Sequence, residues 1–159
     1  MNNKSILTQT KDINSFLPLM RELDFGDRFL LSMLHWCGFG KRQHPLEFWE
    51  VFLAKNGEEP LGIIGLYREI KIQSDVFWIG WFGVRPKYRK QGFGLRMIEE
   101  LKMIARKFAG RELWTYTEQE NIAAINLYLK AGFEKAGNVS EAAPEERAEP
   151  TDIVLKYKL

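Results

Sequence analysis

The stretch DVFWIGWFGVRPKYRKQGFGLRM, residues 75–97, decides the fold. Its first ten residues, 75–84, are apolar at nearly every position, which predicts a central β-strand that is buried on both faces. Pro86 ends this strand. After Gly92 and Gly94 the apolar residues recur at the spacing of an amphipathic helix. The stretch therefore predicts a strand, a basic loop with two glycines and a helix in succession.

The loop within this stretch has the chemistry of an anion-binding site. Its cations, with no acid among them, are Arg85, Lys87, Arg89, Lys90 and Arg96. The first turn of a helix leaves N–H groups unpaired and carries a partial positive charge, so an anion satisfies both. Glycine at 92 and 94 removes side chains that would hold a phosphate away. The P-loop pattern is absent, and Met97 stands where the dinucleotide fingerprint needs a third glycine. The alternative is an ordinary loop with solvated cations.

The rest of the chain predicts a mixed α/β sheet with helices that cross between strands. The predicted elements are strand 5–8, helices capped by Asp12 and Asp27, strands 48–54, 61–72 and 75–84, a helix from Gly94, strand 112–117, a helix capped by Asn121, and strands 133–138 and 152–159. The length of 159 residues suits one hydrophobic core, so we expect a single domain over residues 1–159.

Composition narrows the class of partner. Twenty-three cations against 21 anions leave a net charge of +2, too balanced to predict a nucleic-acid partner. No apolar run approaches the roughly 20 residues of a membrane span, so no membrane partner is expected. Cys37 is the only cysteine, which excludes an internal disulfide, favours a cytoplasmic setting and predicts a buried structural thiol. Two histidines far apart predict no metal site.

Two segments carry a family resemblance. Residues 84–94, VRPKYRKQGFG, resemble the acyl-CoA signature of the GNAT superfamily of N-acyltransferases, Val-x-Pro followed by [RQ]-x-x-G-x-[GA]. Residues 121–133, NIAAINLYLKAGF, resemble the second signature of that family, N-x-x-A-x-x-x-Y-x-x-x-G-F. The resemblance implies a GNAT-like mixed, mostly antiparallel sheet with splayed central strands and flanking helices.

The resemblance also implies acetyl-CoA as co-substrate and assigns its binding residues. The backbone of Phe82, Gly83 and Val84 would pair with the pantetheine arm. The pyrophosphate would lie on the backbone of Arg89, Lys90, Gln91, Gly92, Phe93, Gly94 and Leu95. Asn121 would donate a hydrogen bond to the arm, or serve only as a helix cap. Tyr128 matches the general acid of the family; the alternative is a core aromatic residue.

The general base departs from the pattern of the family. Some members carry a Glu on the central strand, six residues before the Val of Val-x-Pro, and Trp78 stands there in this chain. Glu118, at the end of the next strand, is the first candidate, and Asp75 is the second. Glu118 is equally well explained as a solvated loop charge, and a chain of water molecules is a further route for the proton.

In this chain, the region that binds the acceptor in members of the family is expected to be rich in aromatic residues. The residues expected there are Phe25, Phe29, His35, Trp36, Phe39, His44, Trp78 and Trp81. Such rings hold an apolar amine or a cation, although filling a core is their commoner role. The acidic segment 137–150 would attract a cationic acceptor, or is simply solvated.

The resemblance thus predicts an N-acetyltransferase that moves an acetyl group from acetyl-CoA to a primary amine of a small molecule, amino acid or peptide by direct attack. A transferase that uses another acyl-CoA, and a non-catalytic acyl-CoA sensor, are the alternatives. Homodimers are common in this family, and the sequence carries no interface signal of its own.

Overall fold

A computed structural model of the chain describes residues 6–23, 25–40, 46–69, 75–144 and 148–159. Seven strands form one sheet in the order β1-β2-β3-β4-β5-β7-β6. The strands are β1 Leu7–Gln9, β2 Leu46–Asn56, β3 Glu59–Glu69, β4 Val76–Val84, β5 Glu112–Thr117, β6 Glu134–Asn138 and β7 Ile153–Lys158. Every neighbouring pair is antiparallel except β4 and β5, which are parallel. The predicted fold class is confirmed.

The helices follow the predicted order, with one addition. They are α1 Leu17–Glu22, α2 Gly26–Trp36, α3 Phe93–Lys107, α4 Ile122–Lys130 and the short α5 Val139–Ala142, which lies in the segment expected to be a polar loop. No helix among the described residues has the length and apolar character to cross a bilayer.

Two of the three predicted helix caps are confirmed. Asp12 accepts a hydrogen bond from the Asn14 amide at the start of a 3₁₀ turn that leads into α1. Asn121 accepts from the Ala124 amide at the start of α4. The cap predicted at Asp27 is wrong: α2 begins one residue earlier, at Gly26, and Asp27 lies in its first turn. An acid there still interacts favourably with the helix dipole.

The sheet buries both of its faces, because helices cover each side. Phe52 and Ala54 of β2 face α3 and α4, whereas Val51 and Leu53 of the same strand face α1 and α2. This alternation is the two-residue period of a strand between two apolar layers. Cys37, expected to be buried, is only half-buried beside the α1–α2 layer.

The sheet opens between β4 and β5. The two strands pair only near their N-terminal ends, over 76–78 and 112–114, which is the closed end of the gap. Toward their C-terminal ends, the open end, β4 stays paired with β3 up to Val84, and β5 stays paired with β7 up to Thr117. Each strand therefore follows its outer neighbour and a gap forms between them. The upper half of β4 is only half-buried, which corrects the prediction of a strand buried throughout.

A β-bulge shifts the alternation of side chains along β4 where this gap opens. Gly65 pairs with Gly80 and Ile63 with Gly83, so two residues of β4 lie opposite one residue of β3. Trp81 absorbs the bulge with a positive φ of 48°. As a result Phe82 packs on the α3–α4 side, although an unbroken strand would turn it to the opposite face.

Candidate active site

The start of α3 presents a row of unpaired amides at the mouth of the gap. The N–H groups of residues 90–95 have no hydrogen-bond partner among the described residues, and the first internal bond of the helix runs from the Arg96 amide to the Gly92 carbonyl. The Arg89 amide differs, because it donates to the Pro86 carbonyl at 3.2 Å. The backbone donors predicted for a pyrophosphate are thus brought together, with Arg89 contributing no free amide.

The two glycines of the loop are needed for different structural reasons. Gly92 has a φ of +84°, and a Cβ built on it meets nothing within 4 Å. It therefore supplies a left-handed turn beside open space. A Cβ on Gly94 would lie 3.0 Å from Leu127 and 3.5 Å from Phe82. Gly94 accordingly lets α3 approach α4 and β4 closely, a packing reason that the sequence does not reveal.

Several cations of the loop are paired with neighbouring groups. Arg85 is buried and bonds to Glu22, and Lys87 pairs with Glu59. Arg96 lies 3.3 Å from the Glu100 carboxylate. The Arg89 side chain donates to the Val84 carbonyl at 2.9 Å. The prediction that all five cations attract an anion is wrong for Arg85, whose charge is already matched in the interior.

Tyr128 lies at the gap with its ring enclosed. Its ring centroid is 5.9 Å from that of Phe82 and 5.4 Å from that of Phe133, and its side chain is 4% exposed. Burial raises the pKa of the Tyr128 hydroxyl to about 12, although a hydrogen bond with the Thr115 side chain lowers it. Thr115 belongs to the part of β5 that has left β4. The ring of Tyr128 therefore fills the core, as the alternative had it, and the hydroxyl reaches the separated strand; the role of general acid stays a prediction.

The two predicted bases lie at opposite ends of the gap. Asp75 precedes the closed end of β4 and pairs with Arg111 at 3.6 Å. Asp75 lies three residues before Trp78, the last residue of β4 that pairs with β5, or about 10 Å at the usual rise per residue. Asp75 therefore lies beyond the closed end of the gap and pairs outside it, which argues against Asp75 as the base. Glu118 follows the open end of β5 and is exposed.

A third carboxylate at the open end is one that sequence reasoning missed. Asp152 is 8% exposed and directly precedes Ile153, which pairs with Thr117. Burial raises the pKa of Asp152, and the negative charges of Glu118, Glu149 and Glu120 raise it further. The acids at this end therefore lie close enough to interact. An aspartate before a strand in an acidic segment carries no sequence signal of burial.

The predicted aromatic wall divides into separate clusters. Phe25, Phe29 and Trp81 contact one another with ring centroids 5.0–5.7 Å apart, on the α1–α2 face of the bulge. Trp78 is fully buried among Tyr67, Trp114 and Tyr116.

The other predicted rings lie elsewhere. His35 stacks on Trp49, and the Trp36 indole donates to the Thr10 carbonyl. Phe39 is exposed, and His44 lies outside the described residues. Among the described members of the predicted wall, the cluster of Phe25, Phe29 and Trp81 is the one at β4 near the open end.

Comparisons with known proteins agree with this geometry. The model of the Acetyltransferase (GNAT) family matches residues 13–133. N-alpha-acetyltransferase RimI of Mycobacterium tuberculosis is 30% identical over 84 residues, which are 53% of this chain and 51% of that protein. The match thus spans about half the length of this curated relative.

Solved structures share the architecture. A GNAT family acetyltransferase from Elizabethkingia anophelis, with acetyl-CoA bound, is 25% identical over 70% of this chain and 76% of its own, with a TM-score of 0.57. A Bacillus subtilis acetyltransferase in complex with CoA is 20% identical over 96% and 97%, with a TM-score of 0.68. An acetyltransferase from Streptococcus agalactiae is 14% identical over 96% and 97%, with a TM-score of 0.72.

The last two likenesses concern the fold alone, whereas the family model covers well over half of the chain and spans both signature segments. The splayed strands, the free amides of α3 and the position of Tyr128 lie within the matched residues. This chain is a member of the GNAT family of acetyltransferases.

Proposed function

We propose that this protein transfers the acetyl group of acetyl-CoA to a primary amine of a small molecule, amino acid or peptide by direct attack. One observation carries the proposal: a gap between β4 and β5 opens next to the amides of residues 90–95, all six of which are unpaired within the part of the chain that the structure describes. Acetyl-CoA brings an activated thioester. The residues of this chain have to bind it, orient it and manage the protons.

Binding of the donor rests on backbone groups. The amides of residues 90–95 suit a diphosphate, since they are unpaired and lie at the positive end of a 15-residue helix. The exposed edge of β4 above Trp78, including residues 82–84, suits an extended amide-containing arm that pairs as a strand does. Asn121, whose Oδ1 caps α4, lies directly beyond β5 and completes the predicted set.

Tyr128 would stabilise the leaving group. A pKa of about 12 keeps the hydroxyl protonated at neutral pH. An ordinary thiol has a pKa near 8.5, so full proton transfer from Tyr128 to the departing thiolate is unfavourable. A hydrogen bond to the thiolate is the role that fits both pKa values. Such a bond to a charged group contributes about 1.5–3 kcal/mol.

The amine has to lose a proton before or during attack, because an alkyl ammonium has a pKa near 10.4. Glu118 is our proposed acceptor of that proton, since it lies at the open end of the gap. Asp152 is close enough to Glu118 to feel its charge and lies at the same end. The 30% identity with an N-alpha-acetyltransferase over half its length supports an amino group as the acceptor.

The test is release of thiol from acetyl-CoA in the presence of a panel of amines, amino acids and peptides, with mass spectrometry of the products. Turnover with an acetylated amine as product is the expected result. Propionyl- and succinyl-CoA, run in parallel, test the acyl group. Stabilisation by acetyl-CoA with no turnover on any amine would instead identify an acyl-CoA sensor and overturn the proposal.

A further inference from the structure

Arg85 joins three separate segments at the top of β4. It lies between the last residue of the strand and the turn that leads to α3, and its amide donates to the Leu61 carbonyl at 2.9 Å. One edge of its guanidinium donates hydrogen bonds to both carboxylate oxygens of Glu22, with Nε 2.8 Å from Oε2. The other edge bonds to the Pro60 carbonyl at 2.9 Å and to Glu59 at 3.4 Å.

These bonds leave Arg85 little capacity for a ligand. A guanidinium has five N–H donors, and the bonds to Glu22, Pro60 and Glu59 use four of them. Its side chain is also largely buried. A buried charge that is paired on both edges has a fixed geometry, and removing one partner is costly because the remaining charge is left uncompensated. Arg85 therefore acts through the residues that it holds.

The Glu22 side of this arrangement is the segment that covers β4. Glu22 ends α1, and the side chains of Leu23 and Phe25 lie on one face of β4. A Cβ on Gly83 would be 2.6 Å from Phe25 and 2.9 Å from Leu23, so these two side chains pack directly on the strand there. Phe25 also contacts Trp81 at the bulge. Leu23, Phe25 and this face of β4 therefore form one contact surface, with Arg85 at its end.

We propose that Arg85 and Glu22 are positioning residues that couple the acceptor-side helices α1 and α2 to the strand edge and loop that bind acyl-CoA. The inference rests on the proposed function, because it assumes that CoA binds along residues 82–95. Binding there would restrain β4 and its loop. The two hydrogen bonds between Arg85 and Glu22, here called the fork, would transmit that restraint to the α1–α2 connection. Without the fork, the donor site would order and the acceptor side would not.

Hydrogen–deuterium exchange with coenzyme A as the probe tests the coupling without knowledge of the acceptor. In the wild-type protein, saturating coenzyme A should slow exchange in peptides from residues 82–95 and also in peptides from α1 and α2. Glu22→Gln presents an amide donor where Arg85 needs an acceptor. This variant should keep the protection of residues 82–95 and lose that of α1 and α2.

Glu59→Gln is the matched control, because Glu59 contacts the same guanidinium from the first position of β3 and not from α1. Its protection pattern should equal that of the wild type. Should Glu22→Gln fail to fold, Arg85→Lys replaces it, since a single ammonium cannot form the paired bonds of the fork. Arg85→Lys should show the same selective loss.

The outcomes separate the two proposals. If coenzyme A protects no segment of the wild-type protein and does not bind in calorimetry, the proposed function fails, and the coupling fails with it. If coenzyme A binds and protects residues 82–95, the function stands. In that case, equal protection of α1 and α2 in wild type and Glu22→Gln, or no protection of α1 and α2 in the wild type, overturns the coupling alone.

Discussion

Replacing Gly92 by valine tests the anion site with a predictable cost in stability. Gly92 has a φ of +84°, and a Cβ there meets no atom within 4 Å, so the penalty arises from the backbone and not from a clash. A non-glycine residue in such a conformation costs about 1–3 kcal/mol. Each kcal/mol lowers Tm by about 2–4 °C in a domain of this size. The variant should therefore fold, with a Tm lowered by about 2–12 °C.

The effect of the same change on ligand binding should be far larger. The valine side chain would point into the open space beside the amides of residues 90–95. Each hydrogen bond to a charged group contributes about 1.5–3 kcal/mol, so displacing a diphosphate from two such amides weakens binding by about a hundredfold or more. Isothermal titration with coenzyme A measures this loss.

Gly38→Val is the matched control for that experiment. Gly38 has a φ of +94° and equally open surroundings, but it follows α2, away from the loop. This variant should lose similar stability and keep the affinity of the wild type. If Gly92→Val and Gly38→Val bind coenzyme A equally well, the open space at Gly92 is not where the diphosphate lies, and the reasoning is refuted.

Four further measurements follow from the site and the core. Tyr128→Phe should lower turnover about tenfold to a hundredfold, the value of one charged hydrogen bond, with coenzyme A affinity unchanged in calorimetry; unaltered turnover would remove Tyr128 from the chemistry. The folded pKa of Tyr128 is about 12 against 10.0 for an exposed tyrosine, so its contribution to stability is complete below pH 10 and is lost between pH 10 and 12. Wild type should therefore lose unfolding free energy more steeply than Tyr128→Phe in that window, by about 1.4 kcal/mol per pH unit. The pKa of Asp152 is raised above 3.8 by burial, so its favourable contribution is complete below that pH and lost as the pH rises through the folded value. Asp152→Asn should accordingly raise Tm at pH 7 and bring no gain near pH 3, and a lower Tm at pH 7 would contradict this account. Glu100→Gln should cost about 1–3 kcal/mol in urea unfolding, because the Glu100 carboxylate accepts from the buried amides of Ile6 and Leu7; an unchanged midpoint would show that these bonds are dispensable.

The order of elements was predictable because apolar periodicity and helix caps are local signals. The apolar run at 75–84, the stripe that begins after Gly94 and the cap at Asn121 each predicted the correct element type. The opening between β4 and β5 came from the family resemblance. No local pattern shows it, because it depends on how each strand pairs with its outer neighbour.

The features that the sequence did not reveal are those that depend on long-range contacts. Arg85 looked like one more cation of the loop, but its partner Glu22 lies 63 residues away. Thr115 gains significance only when α4 brings Tyr128 against β5, and Asp152 only when β5 and β7 are side by side. Asp75 and Glu118 looked comparable in sequence, and only the direction of the strands puts Glu118 at the open end of the gap and Asp75 at the closed end.

The bulge at Trp81 has a consequence for engineering. Beyond it, consecutive residues of β4 alternate between the two layers of helices, so Trp81 and Gly83 belong to one compartment and Phe82 and Val84 to the other. A library that varies position 81 would therefore change the packing against Phe25 and Phe29. It would leave Phe82, whose ring contacts Tyr128, unaltered. A one-residue deletion in this strand would exchange the two sets of side chains and disrupt both compartments at once.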